Sequence, residues 1–214
     1  TFYDTCYLTL GEEGILYGKG KITLAGYPKN RITSHLLRAS PKTTKNQITK
    51  LLKGKNHHLE ITDYQLINLE DKEKPLEIKY ELTLDNYYQT LSNTNSEATI
   101  FLNLNMNLLW RNETISAKRQ IDSENKYKFV DKRHYILNLP ETVQLKHLPP
   151  NAEYKGDLFG FSMTYHYEEG KIVLTRELYI NYLLLNAVFF GEWNQMIKEL
   201  TNKRPVDFLG MWNS

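Results

Sequence analysis

The chain has 214 residues, 41% of them hydrophobic and 24% charged, which is ordinary globular composition and enough length to bury one large core or two small ones. Its 27 Lys and Arg against 25 Asp and Glu leave a net charge of +2, which excludes a strong global field and gives no argument for nucleic acid, whose phosphates call for clustered basic charge. A lone cysteine, Cys6, excludes internal disulfides and any multi-cysteine metal site, and fifteen tyrosines read as half-exposed strand, where the ring packs and the hydroxyl stays wet.

The opening "TFYDTCYLTL" reads as a strand, and no basic stretch followed by an apolar one marks a signal peptide there. In "GILYGKGKITLAG" (14–26), Leu16, Ile22 and Leu24 share one side, and Gly18 and Gly20 between them predict a bulge or a close backbone approach. Two short helices are expected next, within about 28–54. The first comes after Pro28; the second has Thr44 and Gln47 at capping-box spacing, an Ile48, Leu51, Leu52 stripe, and Gly54 as its stop. A strand returns at 56–68, succeeded by the charged turn "LEDKEK" (69–74). "PLEIKYELTLD" (75–85) then alternates strictly, placing Leu76, Ile78, Tyr80, Leu82 and Leu84 on one face of a half-buried antiparallel strand. "TIFLNLNMNL" (99–108) repeats that alternation.

Between about 110 and 126 the apolar periodicity lapses, which marks a module boundary near Arg111 to Gln120. Strands resume at 127–140, 156–170 and 171–181, with "EEGK" (168–171) as a hairpin turn. Proline stops at Pro140 and Pro149-Pro150 mark a strand leaving its sheet towards the next hairpin. From an Asn186 cap, Phe189, Trp193, Met196, Ile197 and Leu200 fall at helical spacing and predict an amphipathic helix over about 186–202. The longest apolar run, 179–190, is broken by Asn181 and Asn186 and is too short to span a bilayer. The expected fold is therefore mainly β (α+β): antiparallel, sandwich-like modules at 1–112, with the helical insertion, and 113–214, with the C-terminal helix.

No residue set declares a reaction. Cys6 is the sole candidate thiol nucleophile, but it shares a strand face with Leu8 and Leu10, which suits a small buried hydrophobe better. The neighbours His57 and His58 point to opposite faces of a strand, and His134 and His166 fall on the polar side of theirs. No zinc-protease, Cys-x-x-Cys, P-loop or nucleophile-elbow motif is present, so no catalytic residue, metal or cofactor is assigned. Glu12-Glu13 and Glu168-Glu169 lie in turns, where solvated charge is the default, and Asn112-Glu113-Thr114 is a bare glycosylation sequon. Trp110, Trp212, Tyr87 and Tyr88 are the candidate binding residues, as an aromatic platform for sugar or protein.

The order of features in 135–200 resembles the C-terminal, β-rich region of the transglutaminase-like proteins of Bacteroidetes. It comprises a strand ending in Leu-Pro, a second Leu-Pro, a Gly- and aromatic-rich segment, a strand bearing Arg176, and a final helix with an aromatic and Ile-Lys. "CYLTLGEEGILYGKGKITLAGY" and "ITDYQLINLEDKEKPLEIKYELTL" resemble the segment just after the catalytic core in those proteins. The resemblance implies a non-catalytic accessory region of a secreted bacterial protein, in the periplasm or on the cell surface. Its partner would be an upstream domain of the same polypeptide, and the family's catalytic Cys, His and Asp would lie in that core, not at Cys6. A free-standing module for polysaccharide or protein is the alternative, and a Cys6-dependent enzyme the third.

Overall fold

The computed structural model describes residues 1–11, 15–53, 58–85, 89–94, 97–102, 114–116, 118–201 and 206–211. In chain order the elements are β1 (Phe2–Leu10), β2 (Leu16–Leu24), α1 (Tyr27–Leu36), α2 (Pro41–Lys53), β3 (Leu59–Ile67), β4 (Leu76–Leu84), β5 (Gln89–Thr94) and β6 (Glu97–Leu102). Next come β7 (Ser123–Glu124), β8 (Phe129–Asn138), β9 (Val143–His147), β10 (Ala152–Lys155), β11 (Phe159–Glu168), β12 (Lys171–Ile180), β13 (Leu184–Leu185), α3 (Phe190–Thr201) and β14 (Val206–Met211). The mainly-β expectation with two early helices and one late one is what the chain forms.

Eight strands make one sheet in the order β10-β11-β12-β8-β1-β2-β4-β3. Every neighbouring pair is antiparallel except β1 and β8, which run parallel at its centre. That pairing joins four strands from the first half to four from the second, and one hydrophobic cluster runs beneath all of them across residue 112. A smaller sheet, β5-β6-β14-β9, also draws on both halves, and its Val143 and Leu145 pack into the same cluster.

The strict alternation of the strands decides which face is buried. In β4, Leu76, Ile78, Tyr80, Leu82 and Leu84 all point into the core, as period 2 requires. The β11–β12 hairpin turns through Glu169 (φ 50°) and Gly170 (φ 73°), the two consecutive left-handed residues of a type I′ turn, whose twist matches that of the strands. Beyond Asn138 the chain passes Pro140 into β9 and so moves to the smaller sheet.

The helices differ in detail from expectation. Thr44 is buried inside α2, and the start of that helix lies earlier, at Ser40, whose Oγ accepts from the Thr43 amide at 3.3 Å just before Pro41. Gly54 lies outside the described residues. Asn186 does cap: its side chain accepts from the Val188 amide at 3.0 Å, and a short 3-10 turn, Ala187–Phe189, leads into α3. Trp193, Met196, Ile197 and Leu200 of α3 are buried as the spacing predicts. The chain does not close on that helix, because β14 comes after it and pairs with β6 and β9. Its partners are distant in sequence, which is why six residues interrupted by Gly210 gave no local signal of a strand.

α1 is pinned at its base by Lys29. Its ammonium is buried and donates to the carbonyls of Asp71, Lys72 and Lys74 at 2.7, 2.8 and 2.6 Å, using all three donors on the turn between β3 and β4. The charged turn read from "LEDKEK" thus serves as the socket for a helix lysine.

Candidate functional site

Phase along the strands carries charged residues into the core. Asp4 alternates with Phe2, Cys6 and Leu8; Asp131 and Arg133 with Phe129, Tyr135 and Leu137; Arg176 with Leu174 and Leu178. Each is therefore dictated inward by its apolar neighbours. The register then aligns them, Asp4 beside Arg133 across β1/β8 and Arg133 beside Arg176 across β8/β12.

The result is a buried polar network at the parallel junction. Arg133 donates through Nε and Nη2 to both oxygens of Asp131, at 2.9 and 3.2 Å, and through Nη1 to the Tyr135 hydroxyl at 3.0 Å. Tyr135 donates to Asp4 at 3.0 Å, and Tyr80 donates to its other oxygen at 2.7 Å. Arg133 also lies 4.0 Å from Asp4, Arg176 lies 3.8 Å from Asp131, and the Arg133 guanidinium stacks over the Phe2 ring at 4.8 Å. Arg133 is 1% exposed, and two cations face two carboxylates.

Burial sets the titration of these groups. Desolvation holds the Asp4 carboxyl above the ordinary range, outweighing the pull of Arg133 and of the two hydroxyl donors. Burial, with Arg133 beside it, brings Arg176 down to about 10, which still leaves it charged at neutral pH. Burial and the neighbouring Asp4 push the Cys6 thiol up, away from a reactive thiolate. His134, one residue from Cys6's partner Tyr135, faces the opposite side of the sheet and lies 3.0 Å from Thr175 Oγ1. Strand β12 separates His134 from His166, so the register does not bring those two rings together.

Gly20 makes room for this network, and Gly18 for the Leu8 and Leu82 side chains. They sit in regular β2 pairings without a bulge, and what approaches them is mostly side chain. A Cβ on Gly20 would strike the Tyr80 hydroxyl and come within 2.7 Å of the Thr5 carbonyl, so Tyr80 crosses over Gly20 to reach Asp4. Gly20→Ala is expected to cost about 1–3 kcal/mol by overpacking, read as a lowered urea midpoint. Wild-type stability in that variant would show that Tyr80 does not depend on the gap.

On the other face of the large sheet, tyrosines of β1 and β2 are exposed among the described residues. Tyr3 (41% exposed), Tyr7 (56%) and Tyr17 (50%) stand on it from β1 and β2, with Tyr7 and Tyr17 diagonal neighbours across the pair. Ion pairs Lys19–Glu81, Lys21–Glu77 and Lys132–Glu177 surround them. Trp110, Trp212, Tyr87 and Tyr88 lie outside the described residues, as does His57. The aromatic surface that is described comes instead from tyrosines at the outward positions of "FYDTCYLTL" and from "LYG". Among the described residues no group of His, Cys, Asp and Glu is arranged to hold a metal ion. No helix among them is long and apolar enough to cross a membrane.

Fold and site together define a mixed-sheet module with helices over one face and a charge-balanced network at its centre. Residues 97–206, just over half of the chain, match the family described as Domain of Unknown Function with solved-structure structure (DUF3858), and the chain belongs to that family. Neither a curated protein nor a solved structure matches the chain. The matched range supplies Asp131, Arg133, Tyr135 and Arg176, whereas Asp4 and Tyr80 come from the strands before it.

Proposed function

We propose that this chain is a non-catalytic interaction region of a secreted bacterial transglutaminase-like protein, held extracytoplasmically and docked through the tyrosine-bearing sheet face onto the catalytic core of the same polypeptide. The observation that carries this reading is the division of labour between the faces. Cys6, Asp4, Asp131, Arg133 and Arg176 are buried among one another, while Tyr3, Tyr7 and Tyr17 stand in water within a fringe of paired charges. Tyrosine is favoured at protein interfaces because it brings area and a hydroxyl at low entropic cost. The transglutaminase-like parent and its compartment rest on the resemblance carried by 135–200 and by the strands of the first half.

The same tyrosines support a second reading: a flat aromatic strand face also suits stacking against sugar rings, as in a stand-alone polysaccharide-binding module. Association of the chain with a separately produced transglutaminase-like core, encoded upstream, distinguishes the two. Tyr7→Ala/Tyr17→Ala is expected to weaken that association by roughly tenfold or more, in keeping with loss of central aromatic contacts. Binding to polysaccharide that the same variant abolishes, with no affinity for the core, selects the second reading. A hydrolase or acyltransferase activity of the chain that Cys6→Ala removes would sink both.

A further inference from the structure

A cavity of about 240 Å³ lies between the α1–α2 hairpin and the large sheet, on the side away from Tyr7 and Tyr17. Its walls are apolar: Phe2, Leu24 and Phe129 from the strands, Ile32 and Leu51 from the helices. The stacked rings of Tyr27 and Tyr127, 4.0 Å apart, tie the start of α1 to the approach to β8 beside it. Arg31 and His35, one helical turn apart on α1, and Lys50 on α2 line it with exposed basic side chains. Among the described residues neither Arg31 nor Lys50 is ion-paired.

The charge here is a property of the whole segment. Residues 14–59 contain ten Lys and Arg and no Asp or Glu, so they carry +10 while the remainder, with 17 basic and 25 acidic residues, carries −8. The small net charge therefore hides one basic stretch, and no carboxylate of the hairpin competes for Arg31 and Lys50. The one acid lining the cavity is Asp131, 1% exposed and held by Arg133.

We propose that this cavity is a binding site for a small apolar carboxylic acid. The aliphatic or aromatic body lies against Phe2, Leu24, Ile32, Leu51 and Phe129, and the carboxylate is held by Arg31 and Lys50. Asp131 is already held by Arg133 and faces Arg176, so the acid group goes to Arg31 and Lys50 on the exposed side and the apolar end goes inward. The volume falls below the ~300–1,000 Å³ of sites for drug-sized ligands, which sets the occupant at fragment size. Inorganic anions leave the apolar wall unused, and neutral apolar compounds leave the cations unused.

The test is titration of the chain with hexanoate and 3-phenylpropionate, monitored by amide NMR shifts and calorimetry, against hexanol and inorganic phosphate. The acids are expected to shift amides of α1, α2 and 127–131 and to bind roughly tenfold or more tightly than the alcohol. Arg31→Gln/Lys50→Gln, both at exposed positions, should lose that margin while keeping the wild-type circular dichroism and melting point. Ile32→Trp should block both acid and alcohol by filling the cavity; if it fails to fold, the Gln pair alone decides. Absence of binding by either acid, equal binding by hexanol or phosphate, or unchanged acid affinity in the Gln pair would overturn the proposal.

Discussion

Arg133→Met is expected to lower the free energy of unfolding by about 3–5 kcal/mol, the range for removing one partner of a buried ion pair. The loss comes from what remains. Asp131 loses two charge-assisted donors at 2.9 and 3.2 Å, Tyr135 loses a donor, and the core is left with two carboxylates against Arg176. Adding Asp4→Asn should restore part of the stability, because Asp131 and Arg176, 3.8 Å apart, then form a neutral set. Denaturant unfolding of the two single variants and the double variant gives the coupling directly. An Arg133→Met loss under about 1 kcal/mol would mean that the network contributes neither pairing nor desolvation cost.

The same network has a pH signature. Burial raises the native pKa of Asp4 above its ordinary value of 3.8, so the folded state holds that proton more tightly than the unfolded chain. Its contribution to stability is full below 3.8 and is lost as the pH rises through the native value. The stability of the wild type relative to Asp4→Asn should therefore be greatest in acid and shrink as the pH rises. In Arg133→Met the counter-pull on Asp4 is gone, so the penalty of that variant should be smallest at low pH. A penalty that grows on acidification would contradict the assignment.

Trp193→Ala should cost about 3–5 kcal/mol, as large-to-small substitutions of buried aromatics do. Trp193 is 1% exposed and meets Phe159 of β11 and Tyr182 edge-on, at ring-centre distances of 5.1 and 5.9 Å. It is the joint by which α3 holds the β10–β11 edge of the sheet, beside the Tyr154 hydroxyl that donates to Glu192 at 2.7 Å. The urea midpoint should fall with an unchanged slope. Trp193→Phe, which keeps a ring in place, should lose less. A loss under about 1 kcal/mol for the alanine would show that Ile197 and Leu200 dock the helix without it.

A buried network of this kind is weak evidence for net stability, since apolar residues of similar volume often serve as well. What it adds here is discrimination of register. A slip of β1 against β8 by two residues keeps every apolar side chain on the core side, and hydrophobicity alone does not penalise it. The same slip sets Asp4 opposite Asp131 or Tyr135 instead of Arg133, and the first arrangement brings two carboxylates together without their cation. The charges select one alignment of the parallel pair that joins the halves.

Much of this was legible locally. Alternation assigned the inward face of β4, Asn186 announced the approach to α3, and the spacing of Trp193, Met196, Ile197 and Leu200 identified its buried stripe. The same alternation already carried Asp4, Asp131, Arg133 and Arg176 inward, in phase with Leu8, Tyr135 and Leu174. Reading only the apolar members of each strand passes over them. Phase is set by backbone geometry and applies to a charged side chain as it does to a leucine.

The pairing of β1 with β8 belongs to tertiary structure, because nothing local to residues 2–10 refers to residues 129–138. Nor does any local pattern place β14 beside β6 and β9, or bring Arg31 and Lys50 to one cavity with Phe129. The sequence by itself determined periodicity in the long strands and the amphipathic helices, though not in β14. Only the fold decided adjacency. Two inward charges become a salt bridge, and Arg31 and Lys50 come to line one apolar hollow, once long-range pairing has set their distances.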